Sequence, residues 1–86
     1  MIDLTTLTSP DAPAWAGMRK AQRDRLALAM KHLRDTKAIQ RGDIMRLGEV
    51  SMPTASTDIA EILTRVPGLI EYDSSAKCYR LAEVGA

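Results

Sequence analysis

Four short hydroxyl side chains, Ser51, Thr54, Ser56 and Thr57, fall within the seven-residue run Ser51-Met52-Pro53-Thr54-Ala55-Ser56-Thr57. A hydroxyl both donates and accepts, so this set can bond base edges or phosphate oxygens. Met52 and the threonine methyls add apolar contacts of the kind a thymine methyl accepts. The run holds no arginine, and the commonest side-chain contact to guanine is therefore not offered there. Cations stand on either side of it in the chain. Lys37, Arg41 and Arg46 precede it, and Lys77 follows in a second polar run, Asp73-Ser74-Ser75-Ala76-Lys77. Each cation that neutralises a phosphate adds salt-dependent affinity for nucleic acid.

Other chemistry finds little to work with. His32 is the only histidine and Cys78 the only cysteine. An internal disulfide and a cysteine-built zinc site are thereby excluded, and with Cys78 far along the chain from His32 no Cys–His pair is expected. His32 reads as a structural or exposed residue and Cys78 as a small, half-buried one. There is no glycine-rich phosphate loop. Asp58 and Glu61 share a helix face without a pocket partner, and Asp58 reads as a structural carboxylate, set near a helix N-terminus or paired with an arginine. The expectation is a protein that is not an enzyme, uses no cofactor or metal and has no evident small-molecule ligand.

The totals agree with a small folded domain. A chain of 86 residues suits one domain. Apolar content of 45% with 27% charged residues belongs to a folded chain, not a disordered one. Trp15, Tyr72 and Tyr79 are the only aromatics, so the core must be built of Leu, Ile, Val, Met and Ala. The longest apolar run, Leu26 to Met30, is too short for a membrane span or a signal peptide. A reducing cytoplasm is the expected compartment. The net charge of +1 hides an asymmetry: residues 18–46 carry nine Lys/Arg against three Asp, and residues 47–86 carry three Lys/Arg against six Asp/Glu. A basic middle third suits a polyanionic partner; the alternative is a solvated helix face.

The elements that must position these residues follow from periodicity. Residues 1–17 show no helical period and read as an extended arm, pinned by Trp15, with weak alternation at Ile2, Leu4 and Thr6. Residues 18–35 read as a helix with Met18, Gln22, Leu26, Ala29, Met30 and Leu33 inward. Ala38-Ile39-Gln40 is extended. A short helix over 42–48 turns Ile44 and Leu47 inward and ends at Gly48, expected to be left-handed. Ser51 reads as the N-cap of a third helix, with Pro53 in its first turn and Ala55, Ile59, Ile62, Leu63 and Val66 as its apolar stripe. Pro67-Gly68 stops it. Two short strands then flank the polar run at 73–76. This is a mainly α protein with a small β-hairpin, an α+β winged helix-turn-helix over residues 18–82, followed by a tail at 83–86. Leu47, Gly48, Val50, Ser51 and Ala55 meet the steric demands of the helix-turn-helix itself. That geometry sends the start of the third helix into a DNA major groove. The expected DNA contacts are Arg41, Arg46, Ser51, Met52, Pro53, Thr54, Ser56, Thr57, Ser75 and Lys77.

The stretch from Ser51 to Arg80 resembles the N-terminal winged helix of WYL-domain transcriptional repressors, including those encoded beside anti-phage defence operons. That family carries Ser-x-Pro-x-Ala-Ser-x-Asp-apolar at the opening of its recognition helix, matched by Ser51, Pro53, Ala55, Ser56, Asp58 and Ile59. It also carries a Pro-Gly turn and a Tyr-Asp-x-Ser-Ala-Lys-x-Tyr wing, matched by Pro67, Gly68, Tyr72, Asp73, Ser75, Ala76, Lys77 and Tyr79. Asp43-Ile44-Met45 is similar to its Asp-Leu-Met. Position 54 is Thr where the family often has Gln. The resemblance covers about residues 19–82 and implies double-stranded DNA as partner, a homodimer on an inverted-repeat operator, and repression of transcription. In departure from that family the domain is expected to stand alone, and the regulator is expected to be encoded by a phage or other mobile element. Pairing is expected through the N-terminal region, where Trp15 and the stripe around Met18 offer apolar surface. Two alternatives stand beside it: a winged helix used for protein–protein contact, and a mimic that poisons the dimers of a host repressor.

Overall fold

Helix α2, Lys20–Thr36, is the spine on which the other elements pack. A computed structural model of the chain describes residues 4–82. Leu26, Ala27, Ala29, Met30 and Leu33 form the buried side of α2, at the three- and four-residue spacing that one helix face requires. Lys37 ends the helix in a left-handed conformation, φ 66°, and its N–H bonds back to the carbonyl of Leu33 at 2.8 Å. Ala38–Ile39 follows as strand β1. Helix α3, Arg41–Gly48, starts where Asp43 Oδ2 accepts the Gln40 N–H at 2.9 Å, which satisfies one of the orphan donors at a helix start. Helix α4, Met52–Arg65, buries Ala55, Asp58, Ile59 and Ile62. Strands β2, Ile70–Asp73, and β3, Cys78–Leu81, complete the chain.

The sheet is three-stranded and antiparallel in the order β1-β3-β2. Strand β1 pairs Ile39 with Tyr79, and β2 pairs Tyr72 with Tyr79 and Asp73 with Cys78. Leu26, Met30, Leu33, Ile39, Ile44 and Ile62 are the fully buried aliphatic side chains where the helices meet the sheet. Three helices followed by a hairpin make the winged-helix-like α+β fold expected from the sequence.

Four expectations need correction. The segment read as an extended arm is folded against the body: Leu4–Leu7 is a one-turn helix, α1, and Pro13–Trp15 a 3-10 turn. Trp15 is fully buried and its indole Nε1 donates to the Leu7 carbonyl at 3.1 Å. Arg65 Nη1, at the end of α4, donates to the carbonyls of Ala14 and Ala16 at 3.2 and 2.7 Å. The reason is that single anchors, Leu7, Ala12 and Trp15, hold the segment, and anchors so spaced leave no period to read. Trp15 and Met18, at 0% and 9% exposure, are thus core and offer no surface to a second copy. Gly48 is not the left-handed residue; Glu49 is, at φ 53°. Leu63 faces outward at 40% exposure instead of completing the α4 stripe. Ser51 holds the N-cap position with extended backbone, but no described side-chain hydrogen bond caps the helix there. Ile2 and the tail at 83–86 lie outside the described residues.

Candidate nucleic-acid interface

What an L-residue at position 48 would strike explains how α4 is seated. A Cβ on Gly48 would lie 2.5 Å from Cδ and 2.7 Å from Cγ of Arg25. Glycine is needed here for close approach, so that the Arg25 stem can pass over the end of α3. Arg25 then reaches α4, where Nε meets Asp58 Oδ2 at 2.7 Å and an Nη meets Oδ1 at 3.1 Å. Gln22 Nε2 adds a third bond to Oδ1 at 3.1 Å. Asp58 is fully buried, so its charge requires such a partner. The hydrogen bond to Asp58, aided by its negative charge and opposed by burial, raises the pKa of the Arg25 guanidinium above its already high ordinary value. One ion pair thus ties α2, the turn after α3 and α4 together. The sequence pointed to a structural carboxylate, set at a helix cap or paired with an arginine, but could not say which of the two or which arginine.

With its inner side fixed, α4 presents Met52, Pro53 and Thr57 to solvent and leaves Thr54 and Ser56 half-buried. An open hollow of about 520 Å³ lies between the start of α3, α4 and the hairpin. Arg41, Met52, Ser56, Tyr72 and Lys77 line it, with Ile59 also on its wall. Arg41 Nη1 donates to Ser56 Oγ at 3.3 Å. Arg41, Met52, Ser56 and Lys77, expected separately from the sequence, are therefore brought together. Thr54 and Thr57 turn to the opposite flank of α4, where a recess of about 340 Å³ also holds Arg19 and Gln22. Thr57 Oγ1 donates to the Pro53 carbonyl at 3.1 Å, and Ser51 Oγ lies 3.3 Å from Thr54 Oγ1. Arg46 is outside both hollows, with an Nη 3.1 Å from Asp43 Oδ1. The same Asp43 takes His32, Nε2 to Oδ2 at 3.3 Å. His32 therefore has a structural neighbour.

The hairpin loop is built around one carboxylate. Asp73 Oδ1 accepts the N–H groups of Ser75 and Ala76 at 2.9 and 3.2 Å, and Oδ2 accepts Arg80 Nε. The Arg80 guanidinium, followed by those two N–H bonds, holds the Asp73 carboxyl below the usual carboxylate range. Lys77 closes the loop in a left-handed conformation, φ 56°, and Ser75 is exposed near its tip. Tyr72 and Tyr79 face each other across the strands, ring centroids 5.2 Å apart and planes at 65°, the edge-to-face arrangement aromatic quadrupoles prefer. The two tyrosines fix the strand pair and the aspartate ties the turn, leaving Lys77 exposed at the mouth of the hollow.

Sequence reasoning missed Tyr72, 57% exposed in the hollow, and Arg19. Tyr72 was legible only as a hairpin residue, and Arg19 only as one of many cations on the first helix. Among the described residues no three His, Cys, Asp or Glu side chains gather as a metal site requires, and no helix is long and apolar enough to cross a membrane. No protein-family model, curated protein or solved structure matches the chain.

Proposed function

We propose that the protein is a sequence-specific DNA-binding transcriptional regulator, a repressor that works in the cytoplasm as a homodimer on an inverted-repeat operator. In this reading the first turns of α4 enter the major groove and the loop at 73–77 lies on the adjacent phosphate backbone. The observation that supports it best is the shared hollow, in which the hydroxyl of Ser56 and the exposed Met52 stand beside Arg41 and Lys77. Hydroxyl and apolar groups read base edges, and flanking cations neutralise phosphates. The resemblance of the Ser51–Ile59 and Tyr72–Tyr79 motifs to WYL-domain repressors favours repression over activation. Dimerisation would pair two such units on half-sites about one helical turn apart.

A second reading, a winged helix that docks on a protein, draws on Met52 and Tyr72, which expose 55% and 57% of their surface at this hollow. Gel-shift comparison of duplex from the gene's own upstream region with a shuffled duplex separates the two. The regulator binds the first more tightly; a protein-docking module binds neither, or both equally weakly.

A further inference from the structure

Helix α4 has a hollow on each flank, not on one alone. Met52 and Ser56 turn toward the hollow that holds Arg41 and Lys77. Thr54 and Thr57, on the same two turns, face the recess of about 340 Å³ lined by Arg19, Gln22, Arg25 and Asp58. Within that recess Asp58 and Arg25 neutralise each other through contacts of 2.7 and 3.1 Å. Among the described residues Arg19 makes no ion pair, and it gives the recess its net positive charge. Gln22 Nε2 carries two hydrogens. One goes to Asp58 Oδ1, which leaves the other for a further acceptor.

A helix with its side chains is about 10–12 Å across and a major groove is about 12 Å wide, so a helix lying in the groove meets a phosphate rail on each flank. Cations on one flank alone would hold one strand. We infer that the recess beside Thr54 and Thr57 is a second phosphate seat, in which Arg19 and Gln22 hold a backbone phosphate of the strand opposite the one met by Lys77. The inference rests on the DNA reading above and adds to it which strand is gripped, and by what.

The test uses the whole chain and duplexes carrying one neutral methylphosphonate linkage at a time, walked along both strands. Within each half-site of the operator, wild-type protein is expected to lose affinity at two patches of phosphates, one on each strand. Arg19→Gln keeps its sensitivity at one patch and loses it at the other. Its salt response flattens by one phosphate per protomer, so that between about 50 and 200 mM salt it loses roughly 3.5-fold less affinity per protomer than wild type. Arg19→Lys restores the steeper response. Circular dichroism confirms that each variant is folded. A folded Arg19→Gln with both patches and the wild-type salt response removes the second seat while leaving DNA binding intact. A wild-type protein sensitive on only one strand within each half-site does the same. Failure of wild type to bind any duplex at the lower salt removes the DNA reading and the seat together.

Discussion

Arg25 and Asp58 lie 33 residues apart in the chain and meet at 2.7 Å beneath the outward face of α4. The carboxylate is fully buried and the arginine side chain 17% exposed, so the pair is shielded from the solvent that weakens surface ion pairs. Removing one partner strands the other. Asp58→Ala is expected to cost about 3–5 kcal/mol in urea unfolding, and replacing both residues by apolar ones of similar volume to cost far less. A single-variant loss below about 1 kcal/mol would show that the pair is not what seats α4.

Gly48 depends on the same arginine. Its hypothetical Cβ meets the middle of the Arg25 side chain, whose far end is pinned on Asp58 and cannot swing away without breaking that contact. Gly48→Ala is therefore expected to destabilise by about 1–3 kcal/mol, as overpacking does. Gly42→Ala is the control, since a Cβ there has no neighbour within 4 Å. Its midpoint in urea should be no lower than wild type. Equal behaviour of the two variants would contradict the close approach.

The N-terminal segment tests as core. Trp15 is fully buried and hydrogen-bonded to Leu7, so Trp15→Ala should cost about 3–5 kcal/mol. Deleting residues 1–17 should lower the thermal midpoint of unfolding sharply. An unchanged midpoint in the truncated chain would mean that the segment is a detachable arm after all.

That segment also marks where the sequence stopped being legible. The fold from α2 to the hairpin could be read because each helix repeats its apolar residues at helical spacing and the later turns carry Gly, Pro or Asp. Ala55, Ile59 and Ile62 on α4 are buried as their spacing demands. Leu7, Ala12 and Trp15 have no such repeat, and their burial is a tertiary fact. Gly48 was legible as a residue that must be glycine, but for the wrong reason, because a close approach by Arg25 leaves no local mark in the chain. At the candidate site, Arg41, Met52, Ser56 and Lys77 could be named one by one. Their convergence depends on the Tyr72–Tyr79 strand register and the Asp73 turn.

The hairpin loop should respond to acid. The Asp73 carboxyl is held below the ordinary carboxylate value by Arg80 and two backbone N–H groups. A lowered pKa means that the charged form is favoured in the folded state. Its contribution is present above the unfolded value of about 3.9 and is lost as pH falls through the lower folded value. In an NMR pH titration the Ser75 and Ala76 amides should report a midpoint below the ordinary carboxylate range, and Asp73→Asn should abolish the response. A midpoint at or above that range would contradict the carboxylate-centred turn.

The most direct test of the central claim is a fluorescence-anisotropy titration of labelled duplexes with wild type, Lys77→Ala and Ser56→Ala, across a salt series. Wild type should bind duplex from its own upstream region more tightly than shuffled duplex, with affinity falling as salt rises. Lys77→Ala should weaken every duplex alike and flatten the salt slope by about one phosphate per protomer. Ser56→Ala should instead narrow the gap between the two duplexes by about 1–3 kcal/mol. No binding at low salt, or a Lys77→Ala variant that changes only which sequence is preferred, would contradict the placement of α4 and the hairpin loop on DNA.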